Sequence, residues 1–488
     1  MSETFKNKTL RALFWSAVER FGHQGVRALI TLVLARLLTP EDFGVVGIMT
    51  ALILIAEAII NDGFGQAIVQ RKEVTENDLT TAFVLSVGTA AFLYFIVFAS
   101  AGPIAAFYGQ PKLKSLSRVL SLVVVFDSLI VIQLVQFQRA LDFRTVSIVS
   151  LVSALIGGGI GIGLALLDFG VWSLVAQMVS HKATMAFYYW IQSNWKPSGT
   201  FSRESFRHIF GYGWKLQVAG ILSQLFRNLY SLIIGKAFSV AVVGYYIQAK
   251  NLKDLPVVSM STIVGKVTFP AFSSLQDDRD RMKQGYRRSI ILLSFVAFPL
   301  MLCMGAAADR LIPFLLGDQW APSVKFFQLM CLVGMVYPIQ ALNVNVLKVT
   351  ARTDLFLILE VIKKAVTLAI IVITIRWGVY ALVLGQVVSS SIALILNASF
   401  SGRQIDYGLK EQVQDWAPYL LTALVACGVV YGCGRLLSGA SDLIALAIQV
   451  VAGVVSYLLL CLLLKLEAIH ELRRLIPTTG QQGETTQN

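Results

Sequence analysis

Basic side chains lie inside two segments of this chain that are otherwise apolar enough to cross a membrane. Arg20, His23 and Arg27 are separated by three and four positions, so they share one face of a helix. Arg227 lies in a second polar stripe of the same kind. A charge at the centre of a bilayer helix costs about 2.5–3.5 kcal/mol on insertion scales. Binding of an anion would compensate for this cost, since guanidinium groups suit phosphate and ammonium groups act as point charges.

The full set of candidate anion-binding residues is found at the start of two similar halves of the chain. It comprises Arg20, His23, Arg27, Lys215, Arg227, Lys250 and Lys253. Alternatively, these side chains snorkel to the interface or form ion pairs that fix helix contacts, a reading favoured for Lys215 near a span end. The surplus of cations over acids favours an external anion, because internal pairs would need equal numbers.

Two acids in the second apolar segment, Glu57 and Asp62, are candidates for ion coupling, because a buried carboxyl group can take up a proton. Asp127 and Glu360 are comparable. The alternative for "NDGFG" at 61–65 is a bend in which Asp62 caps the next turn. We expect no cofactor or metal and no enzyme activity, since the sequence lacks a phosphate-binding loop, hydrolase motifs and zinc-ligand spacing.

The composition requires an integral membrane protein, with 56% hydrophobic and only 14% charged residues, against roughly 25% charged residues in soluble proteins. The spans must be helices, because lipid offers no partner for unpaired backbone groups. Apolar runs of sufficient length predict about fourteen transmembrane helices, at 10–37, 43–69, 79–101, 117–138, 144–167, 170–192, 209–236, 241–270, 288–308, 323–347, 354–376, 378–400, 416–437 and 441–464.

An internal repeat organises these helices. "RALITLVLARLLTPEDFG" at 27–44 aligns with "RNLYSLIIGKAFSVAVVG" at 227–244 without gaps. Six spans in each half give both halves the same orientation, which is a parallel repeat. The predicted organisation is an N-lobe at 1–192, a cytoplasmic linker at 193–208, a C-lobe at 209–400, a cytoplasmic loop at 401–415, two further helices at 416–466 and a disordered cytoplasmic tail at 467–488.

The loops carry an excess of lysine and arginine on one side, which predicts that both termini face the cytoplasm. The two lobes would enclose a water-filled cleft lined by the basic residues. This arrangement predicts transport by alternating access, with a cationic central cavity that opens to either side in turn.

Four strings carry a resemblance to a known family. They are "VLARLLTPEDFGVVGIM" (33–49), "IVQRKEVTENDLTTAF" (68–83), "VTFPAFSSLQDD" (267–278) and "IPFLLGDQW" (312–320). With the six-span repeat, they resemble the polysaccharide transporters of the MOP superfamily, of the Wzx and colanic-acid-exporter type. The resemblance implies a flippase in the bacterial inner membrane. It would translocate undecaprenyl-diphosphate-linked oligosaccharide units for exopolysaccharide, capsule or O-antigen synthesis.

The resemblance also implies partners and alternatives. The partners are the lipid-linked glycan, membrane lipids, and a polysaccharide polymerase and chain-length regulator, with no nucleic acid. Related flippases use basic residues on the first and eighth spans, which match Arg20 or Arg27 and Lys250 or Lys253. A flippase of the lipid-linked peptidoglycan precursor would share this physics. An ion-coupled multidrug exporter of the same superfamily is a weaker alternative, because it predicts an acidic cleft.

Overall fold

The computed structural model describes residues 3–71, 73–275 and 278–475. Within these ranges the chain forms helices and short connections, without strands. The all-helical prediction is therefore confirmed. Each of the fourteen predicted spans lies mainly on helical residues, although the span at 43–69 contains a π-helical turn and the span at 117–138 crosses a break between two helices at Ser121.

The chain packs as two compact units, residues 1–247 and 248–488. The helices of the first unit are α1 (Glu3–Leu37), α2 (Pro40–Ile60), α3 (Gln66–Gln70), α4 (Glu76–Tyr108), α5 (Lys112–Leu120), α6 (Leu122–Arg139), α7 (Phe143–Leu166), α8 (Val171–Gln192), α9 (Arg203–Ala237) and the start of α10 (Val240–Ser273). A π-helical turn, Asn61–Gly65, joins α2 to α3. Thr39 caps α2 by accepting a hydrogen bond from the backbone N–H of Asp42, which explains why a new helix begins there.

The second unit contains the remainder of α10 and eight further helices. They are α11 (Arg279–Ala306), α12 (Ala308–Leu316), α13 (Ser323–Val349), α14 (Thr353–Thr374), α15 (Val379–Gly402), α16 (Leu409–Leu436), α17 (Asp442–Leu463) and α18 (Glu467–Leu475). Its apolar core is built mainly from α11, α13 and α16, with large buried side chains such as Tyr286, Phe298 and Tyr419.

Ten of the long helices in the described ranges are long and apolar enough to span a membrane. The protein is therefore a multi-pass membrane protein. The other four long helices, α1, α8, α10 and α14, carry ionisable side chains in their interiors. A total of fourteen spans stays a prediction.

The packing boundary differs from the lobe boundary that the repeat predicts at 193–208. Helix α9, the first helix of the predicted C-lobe, lies in the first unit, where it packs against α2 and α4. Its continuous course from Arg203 to Ala237 also takes in the last residues of the predicted linker. The boundary at 193–208 separates the two sequence repeats, and a division of the protein into lobes at that point stays a prediction.

Two glycines at equivalent positions of the repeat create a close helix crossing inside the first unit. A Cβ on Gly44 of α2 would overlap the carbonyl oxygen of Val240, and a Cβ on Gly244 of α10 would overlap the carbonyl oxygen of Pro40. The glycine of each helix thus faces the carbonyl at the start of the other helix. Such reciprocity is what a two-fold relation between the repeats produces.

Glycines also bring α7 close to α8. A Cβ on Gly157 would lie 2.8 Å from the Cβ of His181, and one on Gly161 would lie 2.7 Å from the Cβ of Gln177. Small residues four positions apart allow two helix backbones to approach in this way. The approach fixes the depth and rotation of α8, which carries Lys182.

The expectation of a disordered tail from residue 467 is wrong for its first part. Residues 467–475 form α18, because the guanidinium of Arg287 binds both carboxylate oxygens of Glu467, at 2.8 and 2.7 Å. The same guanidinium also binds Asp415 through Nε at 3.0 Å, and the backbone N–H of Ala468 donates to the Tyr419 hydroxyl. Residues 476–488, the rest of the predicted tail, lie outside the described residues.

We predict that Gly44→Ala and Gly244→Ala each lower the yield of folded protein. The added methyl group meets a backbone carbonyl, so the helices must separate, and such overpacking costs about 1–3 kcal/mol. The measurement is the monodisperse fraction after detergent extraction, with its thermal midpoint. Gly88→Ala in α4 is the matched control, because a Cβ at that helical glycine has no neighbour within 4 Å. Equal losses in the control and in the two test variants would contradict the crossing.

Candidate functional site

Three helices of the first unit meet at a buried cluster of charged side chains, here called the Lys182 cluster. The ammonium of Lys182 (α8) lies 2.5 Å from Oδ1 of Asp127 (α6) and 3.2 Å from Oε1 of Glu57 (α2). The amide of Asn61 donates to the other oxygen of Asp127 at 3.4 Å. The cluster therefore consists of two carboxylates, one ammonium and one amide.

The π-helical turn Asn61–Gly65 lies one turn beyond Glu57 and joins the cluster to α9. Such turns are rare and are often found at functional sites. The carbonyl oxygen of Ile59, near the start of this irregular turn, accepts a hydrogen bond from Nε2 of Gln217 in α9 at 2.9 Å. A Cβ on Gly213 would lie 3.1 Å from the carbonyl oxygen of Gly63, so α9 packs directly on the turn. The predicted bend at 61–65 is thus a π-helical turn inside a continuing helix.

A pair of histidines connects the basic face of α1 to the Lys182 cluster. The rings of His23 and His181 lie 5.8 Å apart at an angle of 34°. His181 directly precedes Lys182 on α8, and Arg27 follows one turn after His23 on α1 with an exposed side chain. The cationic stripe of α1 and the buried carboxylates of α2 and α6 are therefore joined through α8.

The other predicted residues of the first unit lie on α1, α9 and the π-helical turn. Lys215 and Arg227 belong to α9, and both side chains are exposed. The side chains of Arg20 and Asp62 lie outside the described part of the structure. Their predicted contributions to anion binding and ion coupling stay predictions.

Two predicted basic residues lie in the second unit, on α10. Lys250 is half-buried. Lys253 is only 9% exposed, and its ammonium lies 2.5 Å from Oδ1 of the adjacent Asp254. Its aliphatic stem packs where a side chain on Gly334 would otherwise lie. Lys253 therefore has an internal counter-charge, whereas its predicted contact with a ligand stays a prediction.

Two members of this site, His181 and Lys182, are absent from the sequence-based candidates. The available signal is the string "SHKAT" at 180–184, which places a histidine and a lysine inside the apolar span at 170–192. A lysine in that position raises the same question of charge compensation as Arg27. The partners of Lys182 come from spans far away in the sequence, so spacing along α8 does not reveal them.

The donor set of the Lys182 cluster does not resemble a metal site. Among the described residues, no group of three or more histidine, cysteine, aspartate or glutamate side chains is arranged to hold a metal ion. In the Lys182 cluster the position between the two carboxylates is taken by an ammonium group.

Solved structures with a similar fold are transporters. The structure described as "Lipid II flippase MurJ, inward closed conformation" matches with a TM-score of 0.76 at 15% identity, covering 95% of this chain and all of that chain. An inward-facing multidrug resistance transporter of the MATE family and MOP superfamily matches with a TM-score of 0.63 at 15% identity, covering 78% of this chain and 94% of that chain. The chain therefore shares the fold of these two proteins.

Relatives by sequence are named for polysaccharide synthesis. The lipopolysaccharide biosynthesis protein WzxC of Escherichia coli is 25% identical over 89% of both chains. The succinoglycan biosynthesis transport protein ExoT of Rhizobium meliloti is 27% identical over 66% of this chain and 65% of that protein. Residues 33–325, more than half of the chain, match the family described as "Polysaccharide biosynthesis protein", and the chain belongs to this family.

Proposed function

We propose that the protein is a flippase that carries undecaprenyl-diphosphate-linked oligosaccharide repeat units across the bacterial inner membrane. The glycan would serve exopolysaccharide, capsule or O-antigen synthesis. The observation that carries this proposal is the similarity to WzxC over 89% of both chains, within a family of polysaccharide biosynthesis proteins. The fold supports transport, because the similar solved structures are a flippase and a multidrug transporter.

The ligand group that the basic residues would recognise is the diphosphate. Arg27 and Arg227 occupy equivalent positions of the repeat, and both side chains are exposed in the first unit. An arginine fork can bind two phosphate oxygens at once, which fixes orientation as well as charge. His23, Lys215 and Lys250, with Arg20 and Lys253, would add positive potential to a cationic cavity.

The energy for transport would come from an ion gradient or the membrane potential. Nothing in the sequence resembles a nucleotide-binding loop. Glu57 and Asp62 are the proposed coupling acids, and Glu57 is supported by its position in the Lys182 cluster next to the π-helical turn. The proposed partners are the lipid-linked glycan and membrane lipids, together with the polymerase and chain-length regulator that would use the exported units.

The peptidoglycan-precursor alternative is less well supported. Similarity to the lipid II flippase is a similarity of fold at 15% identity. The sequence relatives are instead named for lipopolysaccharide and succinoglycan synthesis. The multidrug alternative predicts an acidic binding surface, whereas Arg27 and Arg227 present positive charge.

We predict that Arg27→Ala and Arg227→Ala each reduce export strongly. Loss of one charge-assisted hydrogen bond to phosphate removes roughly 1.5–3 kcal/mol of binding, which corresponds to about a tenfold to hundredfold weaker capture. The measurement is surface polysaccharide in an exporter-deficient strain complemented with each variant, normalised to the amount of protein in the membrane. Arg27→Lys keeps the charge without the fork and should export at an intermediate level.

Lys114→Ala is the matched control for this experiment, since Lys114 is an exposed basic residue of α5 outside the proposed cavity. Its export should equal that of the unmodified protein. Unchanged export in both arginine variants at normal protein levels would refute the assignment of these residues to the diphosphate.

We also predict that both termini lie in the cytoplasm, because the loops on that side carry the excess of lysine and arginine. Green fluorescent protein fused after Asn488 should fluoresce, and alkaline phosphatase at the same point should be inactive. Alkaline phosphatase inserted after Gly439, between α16 and α17, should be active. The opposite pattern at these two positions would show that the predicted orientation is inverted.

A further inference from the structure

We propose that the Lys182 cluster is a proton-binding site, in which Glu57 and Asp127 share one exchangeable proton beside the ammonium of Lys182. The proposal rests on the proposed flippase function and deepens it, because it names the proton as the coupling ion. It also assigns Asp127 and Lys182 to the coupling site beside Glu57.

The charges of the cluster do not balance without a proton. Glu57 and Asp127 contribute two negative charges, and Lys182 contributes one positive charge. Among the described side chains, no other cation lies within 4.0 Å of either carboxylate. The side chains of Asp127, Glu57 and Lys182 are 5%, 16% and 24% exposed, respectively, so water screens this charge only weakly. A net charge in such surroundings is unfavourable unless it is neutralised.

One proton restores neutrality. It is transferred from a hydronium ion in the adjoining water: one O–H bond of the hydronium breaks, a new O–H bond forms on a carboxylate oxygen, and a neutral water molecule remains. Two carboxylates that share a site hold a single proton readily, because their negative charges repel each other. The partial exposure of Lys182 leaves a route for water to reach the cluster.

A proton fits this site better than a metal cation does. The Lys182 ammonium lies 2.5 and 3.2 Å from the two carboxylates, and it therefore fills the space in which a sodium ion would be coordinated. A proton needs no such space. The ammonium thus neutralises one of the two carboxylates, and one negative charge remains to be neutralised by a proton.

Ionisable groups near the cluster are found on α1 and α8 and on the helices packed against it. His23 and Arg27 lie on α1, and His181 lies beside Lys182 on α8. The packed neighbours α4 and α7 carry Asp, Glu, Lys, Arg or His only in their first turns. Helix α9 packs on the π-helical turn through Gly213 and Gln217, neither of which titrates, and it carries Lys215 between them and Arg227 further along. Helix α5, which packs on α2 and α8, carries Lys112, Lys114 and Arg118.

This arrangement gives the proton two connections to the proposed ligand residues. His181 and His23 link the cluster to the helix that carries Arg27. Asn61, the first residue of the π-helical turn, donates to Asp127, and α9 with Arg227 packs on that turn. A change in the charge of Asp127 therefore alters a hydrogen bond at the point where α2 supports α9.

An ion pair in the second unit offers a matched control. In α14, the ammonium of Lys363 lies 2.5 Å from Oε1 of Glu360, so one acid faces one base. This pair is balanced without a proton, so Glu360, which the sequence alone makes comparable to Glu57, is not part of the proposed coupling site. Glu360→Gln and Glu57→Gln therefore make the same chemical change in clusters of different charge.

The direct test is infrared difference spectroscopy of the purified protein during a pH titration. We expect a carbonyl stretch of a protonated carboxyl group to appear as the pH falls. It should be lost in Glu57→Gln and in Asp127→Asn, and it should persist in Glu360→Gln. Glu57→Gln retains the balanced Lys182–Asp127 pair and is therefore expected to fold. Absence of the band in the unmodified protein, or its persistence in both test variants, would overturn the proposal.

A second measurement separates this proposal from the proposed function. In the complemented strain, Glu57→Gln at a normal protein level should lower export at least tenfold and make the remainder insensitive to external pH. Export equal to that of Glu360→Gln, with the normal pH response, would mean that the cluster is only a structural ion pair. If the unmodified protein exports no glycan, the flippase proposal fails, whereas the infrared titration still decides whether the proton site exists.

Discussion

The structure depends on one constraint, which is that an ionised side chain in an apolar helix needs an opposite charge or a polar ligand. The first unit meets this constraint in two ways. Lys182 lies between the acids of two other helices, so its charge also holds α2, α6 and α8 together. Arg27 and Arg227 instead present exposed guanidinium groups. Buried charges thus organise the helices, whereas the guanidinium groups of Arg27 and Arg227 are exposed.

The same constraint explains the irregular geometry of α2. The π-helical turn follows Glu57 within the helix and places Asn61 against Asp127. A π-helical turn contains one more residue than an α-helical turn, so the side chains that follow Asn61 point in different directions from those they would take in a regular α-helix. Gln217 compensates for the irregularity by donating to the Ile59 carbonyl. The polar groups of α9 therefore complete the backbone of α2 as well as packing on it.

Much of the fold could be predicted from the sequence, because the length of an apolar run sets the position of a helix in a membrane protein. The site could be predicted only in part. The i, i+3, i+7 spacing identifies the basic face of α1, since that pattern is local. The partners of Lys182 on α2 and α6 depend on tertiary packing, and no spacing within α8 encodes them. The pairing of Lys253 with Asp254 and the helix at 467–475 likewise follow from side-chain contacts in the folded chain.

The reciprocal contact of Gly44 and Gly244 limits which substitutions the two repeats can accept independently. Each glycine accommodates a main-chain carbonyl of the other repeat, which is the nearest group to an added Cβ. A carbonyl cannot be made smaller by substitution, so a larger residue in one repeat is not compensated by a smaller side chain in the other. The two positions are therefore coupled, because each repeat restricts the other to glycine at this crossing.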